Sequence, residues 1–211
     1  QRADVLLKEK PLRFQTRKQV GLLGGNFNPV HLAHLVMADQ VQNQLGLDKV
    51  YLMPTYLPPH VDEKKTISSE HRLAMLELAV ADNPCLDIEP IELIRKGKSY
   101  TYDTMKALKE ANPDTDYYFI IGGDMVEYLP KWHRIDDLLH LVQFVGIRRP
   151  NYPTESTYPI IWVDVPQMAI SSTLIRQKVK SGCSTRYLLP ENVINYIQEK
   201  GLYQDELDNK L

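Results

Sequence analysis

The sequence predicts an α/β fold, a doubly wound and mostly parallel sheet closed by C-terminal helices, and three observations predict it. Short β-branched or aromatic runs recur at residues 19–24, 49–54, 86–89, 117–122, 142–147 and 160–165. Helical periodicity fills most of the gaps, and strands alternating with helices favour parallel pairing through crossover connections. Glycine turns, Gly24-Gly25 and Gly122-Gly123-Asp124, follow the first and fourth runs. Both therefore fall on the carboxyl edge of the sheet, where such sheets bind ligands.

Residues 1–19 are polar, with six Lys or Arg against two acids, and read as an extension or short helix outside the core. Leu32, Leu35, Val36, Ala38 and Val41 form an amphipathic stripe that ends near Gly46. Leu73, Leu76, Ala79 and Val80 form another behind a Ser68-Ser69 cap. Residues 101–111 and 126–141 follow the same pattern. Two last helices, 172–181 before Gly182 and 190–200 before Gly201, have fitting starts and stops. The long loops, 55–66 and 150–158, suit a substrate lid or plain surface irregularity. The reading is one domain over residues 20–203, with a polar tail at 204–211.

At 211 residues the chain can bury one sizeable core. A net charge of −2 gives no electrostatic footprint for nucleic acid or for an acidic membrane, so any anion site is local. No stretch is apolar enough to span a bilayer, and the N-terminus has no signal-peptide pattern. Cys85 and Cys183 stand apart without metal-ligand spacing, which reads as reduced thiols in the cytoplasm. Oligomeric state is not legible, and a homo-oligomer stays open.

The chemistry concentrates in two segments. In the first, an apolar run breaks at Gly24-Gly25, passes through Asn26-Phe27-Asn28-Pro29 and re-emerges as a helix opened by His31 and His34. Glycines let backbone amides approach an anion, and a helix start adds unpaired donors. Histidines at i and i+3 face one side. Taken singly, each piece has a plainer reading as a turn, a capping residue or a surface histidine, and HxxH without further ligands is a poor zinc site. In the second segment, Ile170-Ser171-Ser172-Thr173-Leu174-Ile175-Arg176, serines cap a helix and Arg176 lies one turn on. A serine cap with a surface arginine is its plainer reading. Gly97-Lys98-Ser99 ends like a Walker A loop, but Glu92 occupies the place of its leading glycine.

GGNFNPVHLAH resembles the GGxFxPxHxxH signature of the nucleotidyltransferases, with Asn28 where many members carry Asp and Ala33 where many carry Gly. ISSTLIR resembles that family's second signature, ISSTxIR, and stands about 140 residues later, in the expected order. The resemblance implies a Rossmann-like fold and adenylyl transfer from ATP with Mg²⁺. It places His31, His34 and Arg176 in catalysis, and Gly24, Gly25, Asn26, Phe27, Gly122, Asp124, Ile170, Ser171 and Ser172 around ATP. An anionic acceptor phosphate is already a nucleophile, so alignment and charge stabilisation suffice.

Within the family, Ser99-Tyr100-Thr101-Tyr102-Asp103-Thr104, Ile121-Gly122-Gly123-Asp124 and Leu129-Pro130-Lys131-Trp132-His133 look most like the bacterial nicotinate mononucleotide adenylyltransferases. That resemblance runs over nearly all of residues 20–203. It implies that Trp132 stacks on the pyridine ring and that amides near Thr101 and His133 meet the nicotinate carboxylate, with Tyr100, Lys131 and His60 also on the acceptor side. Taken alone, Trp132 reads equally as packing and Asp124 as a helix cap. Arg148 and Arg149 read either as phosphate-steering groups or as solvated charges. The expected substrates are ATP and nicotinate mononucleotide. Nicotinamide mononucleotide or phosphopantetheine is the alternative acceptor, and a non-catalytic nucleotide sensor is the alternative class.

Overall fold

The computed structural model describes residues 17–56 and 67–204. His60 and most of the 55–66 loop lie outside the described residues, as do residues 1–16 and 205–211. The strands are β1 (Lys18–Gly25), β2 (Lys49–Pro54), β3 (Leu86–Ile88), β4 (Thr115–Gly122), β5 (Val142–Ile147) and β6 (Ile160–Val163). They form one sheet in the order β3-β2-β1-β4-β5-β6, parallel throughout. The chain runs outward from β1 to β3, then returns to β4 on the other side of β1. That reversal opens a crevice at the carboxyl ends of β1 and β4, where both glycine turns lie.

The helices are α1 (Leu32–Leu45), α2 (Ser69–Val80), α3 (Ile91–Arg95), α4 (Thr101–Ala111), α5 (Ile135–Leu138), α6 (Ser172–Lys180) and α7 (Glu191–Lys200). One apolar layer joins Val41 of α1, Leu76 of α2, Ile175 of α6 and Val193 of α7 to the sheet. The opposite layer joins Met105 of α4 and Leu138 of α5 to Phe119 and Phe144. Gly46 and Gly201 end α1 and α7 in the left-handed region, at φ 61° and 63°, a backbone state that glycine adopts without strain.

Two sequence expectations need correction, and one helix was not expected. The helix expected over 126–141 is a 3₁₀ helix, Gly123–Lys131, followed by the single turn α5. Pro130 lacks an amide donor and crowds the preceding turn, and Arg134 at φ 52° breaks the run. The short α3 had no periodic signal of its own. Lys18, read as extension, belongs to β1 together with Gln19, and the Arg17 guanidinium pairs with Asp116 at 2.6 Å.

Candidate active site

The turn after β1 is held by groups from distant parts of the chain. Phe27, at φ 47°, buries its ring edge-on to His34. The Asn26 carbonyl accepts from Arg72 at 2.8 Å, the Asn28 carbonyl from Arg176 at 2.8 Å, and the Pro29 carbonyl from the Ser172 hydroxyl at 2.9 Å. The Tyr203 hydroxyl donates to Asn28 Oδ1 at 2.6 Å, and burial pushes that phenol well above its ordinary range. The second signature thus braces the first directly. A Cβ on Gly24 would stand in ordinary van der Waals contact with Met53 and Phe119, at 3.9 to 4.0 Å.

His31 is the N-cap of α1, and its backbone amide donates to His34 Nδ1 at 3.1 Å. The two rings stack with centroids 3.7 Å apart. With Nδ1 accepting, the proton of a neutral His34 sits on Nε2. Burial lowers His31 to about 4, and burial, then the neighbouring His31, lowers His34 to about 3. Both imidazoles are therefore neutral hydrogen-bond donors at pH 7 before a ligand arrives. The Leu32 amide donates to the Leu188 carbonyl at 2.9 Å. Two of the α1 donors expected to be open are thus already engaged.

These histidines set an acid limit on stability. The unfolded chain protonates both near 6.5, whereas the folded chain does so only near 4 and 3, so stability is full above pH 6.5 and falls through that window. The loss at pH 5 is on the order of 2 kcal/mol per ring. Burial raises Glu92 to about 7, a shift of opposite sign, so the measurement must be a difference between proteins. Urea denaturation at pH 7.5 and 5.0 should show a smaller acid loss in the His31→Gln, His34→Asn double variant. An equal loss would contradict the assignment.

His31, His34, Met37, Arg149, Ile170, Ser171 and Ser172 line one cavity of about 300 Å³. Ser171 Oγ caps α6 by accepting from the Leu174 amide at 3.1 Å, and the Ser172 and Thr173 amides have no partner among the described residues. Asp124 does not cap the 3₁₀ helix, whose N-cap is Gly122 without a side-chain bond; its carboxylate lies 3.8 Å from Arg149 Nε. Gly123 could carry no side chain, since a Cβ would stand 2.7 Å from the Ile147 carbonyl. Arg148 pairs with Asp164 at 2.8 Å, so of the two adjacent arginines only Arg149 lines the cavity. No three His, Cys, Asp or Glu side chains converge as metal ligands among the described residues.

A second cluster gathers the expected acceptor residues. Tyr100 stacks on His133 with centroids 4.2 Å apart, joining the start of α4 to the end of the 3₁₀ helix. Tyr100 caps α4 without a side-chain bond, which leaves the helix start at Thr101 accessible. Trp132 is half-buried, edge-to-face with Phe119 and Phe144 at 6.0 and 5.9 Å. Lys131 stands apart, with its ammonium 5.9 Å from the Tyr128 ring centre. Two residues missed in the sequence matter to the phosphate turn: Arg72, a cation directly before the apolar stripe of α2, and Tyr203, which marked only the end of the domain. A charged residue on a buried helical face was the available signal for the first; the second had none.

Residues 22–178 match the cytidylyltransferase-like family. The chain is 99% identical to a protein of Enterococcus faecalis named "Probable nicotinate-nucleotide adenylyltransferase", over 100% of this chain and 96% of that one. A Streptococcus pneumoniae protein of the same name is 62% identical, over 92% of this chain and 93% of its own length. The chain belongs to the nicotinate-nucleotide adenylyltransferases. The fold of this adenylyltransferase also matches a Plasmodium falciparum nicotinic acid mononucleotide adenylyltransferase solved with NaAD, at a TM-score of 0.73 and 19% identity, covering 90% of this chain and 100% of that one. Such distant identity speaks for architecture alone. No helix among the described residues of this adenylyltransferase is long and apolar enough to cross a membrane.

Proposed function

We propose that the protein transfers the adenylyl group of ATP to nicotinate mononucleotide, giving nicotinate adenine dinucleotide and pyrophosphate. The observation that carries this reading is the direct bracing of the Asn28 and Pro29 carbonyls by Arg176 and Ser172, which makes one cavity of two remote signatures. An acceptor phosphate oxygen attacks the α-phosphorus in line as the bond to the pyrophosphate oxygen breaks. His34 donates from Nε2 to charge developing on the transferred phosphate, and His31 lies against it. The open α6 amides and Arg149, at the cavity, would meet the β- and γ-phosphates, with Arg176 one turn further along α6 adding its charge.

ATP chemistry in such a site needs a divalent cation, and Mg²⁺ fits the donor set. It commonly binds through substrate phosphates with one or two carboxylates, and Asp124 is the carboxylate beside the cavity-lining Arg149. When bound, it neutralises phosphate charge. On the acceptor side, the Trp132 ring would stack on the pyridine while amides at Thr101 and His133 meet the carboxylate. Unbridged Cys85 and Cys183, and substrates of central metabolism, support a cytoplasmic location.

Pyrophosphate release with ATP and Mg²⁺, measured in turn with nicotinate mononucleotide, nicotinamide mononucleotide and phosphopantetheine, tests the reading. Turnover should favour the first; equal turnover with the amide would remove the proposed role of the α4 amides, and no turnover would leave a sensor. Trp132→Ala should raise KM for nicotinate mononucleotide by a factor equivalent to about 1 to 3 kcal/mol, with KM for ATP nearly unchanged. Its contacts with Phe119 and Phe144 also predict a lower melting temperature. A destabilised variant with both KM values intact would make Trp132 a packing residue only.

A further inference from the structure

We propose that Arg72 is a positioning residue for phosphate binding, its buried guanidinium orienting and polarising the Phe27 amide toward the phosphates of ATP. Arg72 is 1% exposed. Its Nη1 donates to the Asn26 carbonyl at 2.8 Å and to the Thr55 carbonyl at 2.9 Å, and its Nη2 reaches Ser69 Oγ at 3.2 Å. It ties the end of β1 to the end of β2, alongside the Thr55 amide bond to the Gly25 carbonyl at 2.9 Å. Burying a guanidinium carries a desolvation cost that an apolar side chain of similar length avoids, so packing alone does not explain the residue.

The geometry of the peptide unit supplies the function. In a trans peptide the C=O and N–H groups point in opposite directions, so a carbonyl turned to the guanidinium turns its own N–H away from it. For the Asn26–Phe27 unit, the group turned away is the Phe27 amide, which has no partner among the described residues. Phe27 lies in the left-handed region, a conformation from which successive amides converge on an anion. The cation draws electron density toward the carbonyl oxygen and makes that amide a stronger donor. Arg72 thus acts on phosphate through the backbone, without touching the ligand.

The inference rests on the phosphate site proposed above, and its test is separable from turnover. Pyrophosphate and adenosine binding are measured by titration calorimetry on the wild-type protein, Arg72→Met and Arg72→Lys, with melting temperatures alongside. Arg72→Met should bind pyrophosphate about tenfold more weakly while adenosine binding stays unchanged. Arg72→Lys keeps the charge and should recover most of that affinity at pH 6.5. Relative to wild type it should lose affinity again toward pH 9, because a buried lysine gives up its proton where arginine does not. Unchanged pyrophosphate affinity in Arg72→Met, or parallel loss of adenosine, would overturn the proposal. Should Arg72→Met not fold, the pH series on Arg72→Lys decides, and a flat ratio to wild type would overturn it. A wild-type protein that binds pyrophosphate yet transfers no adenylyl group would defeat the proposed function and leave the role of Arg72 standing.

Discussion

His34→Ala is expected to cut kcat by a factor on the order of 10² to 10³, the usual scale for one preorganised donor to developing charge. The structure adds a second effect, because His34 Nδ1 accepts the His31 amide at the start of α1. Losing that cap should cost about 1 kcal/mol of stability. His34→Asn separates the two, since its side-chain oxygen stands near the position of Nδ1 while nothing replaces the Nε2 proton. Single-turnover rates and urea denaturation on both variants check this. Two slow variants with only His34→Ala destabilised is the expected pattern; a fast His34→Asn would move the catalytic donor elsewhere.

Arg176→Ala is expected to lower kcat/KM for ATP by about 10², through a lost cation at the phosphates and a released Asn28 carbonyl. The loss should be greater for ATP than for nicotinate mononucleotide, because its helix start faces the cavity of His31 and His34 and not the Tyr100–His133 cluster. Arg176→Lys should recover little, since a single ammonium cannot keep both the Asn28 carbonyl and Thr173 Oγ1 while facing phosphate. Steady-state constants for both substrates decide the matter. Equal weakening of the two would make Arg176 a brace for the turn and nothing more.

Much of this architecture was legible in the chain, for identifiable reasons. The strand and helix runs appear because β-branched clusters and 3.6-residue periodicity are local signals, and Gly46, Gly182 and Gly201 mark helix ends. The segment around Pro130 was not legible as a 3₁₀ helix, because apolar spacing does not tell a 3.6-residue period from one of three over a few turns. The phosphate turn was legible as a string of residue types. Its supports were not: the contacts of Arg72, Ser172, Arg176 and Tyr203 with the turn are tertiary. The neutral state of the histidines was hidden for the same reason, since it follows from burial and not from spacing.

The separations in that bracing network bear on how the protein is made. The turn after β1 leaves the ribosome early, yet its carbonyls and the Asn28 side chain wait for partners 46, 143, 148 and 175 residues downstream. Every strand of the sheet can emerge and pair before α6, and the histidines would then sit on a turn that has Arg72 and Thr55 but not yet Ser172, Arg176 or Tyr203. Competence for chemistry therefore arrives late, with α6 and then Tyr203. A nascent or prematurely ended chain can hold the complete sheet while its nucleotide site is still unbraced, so ATP is met by a finished enzyme rather than by a fragment of one.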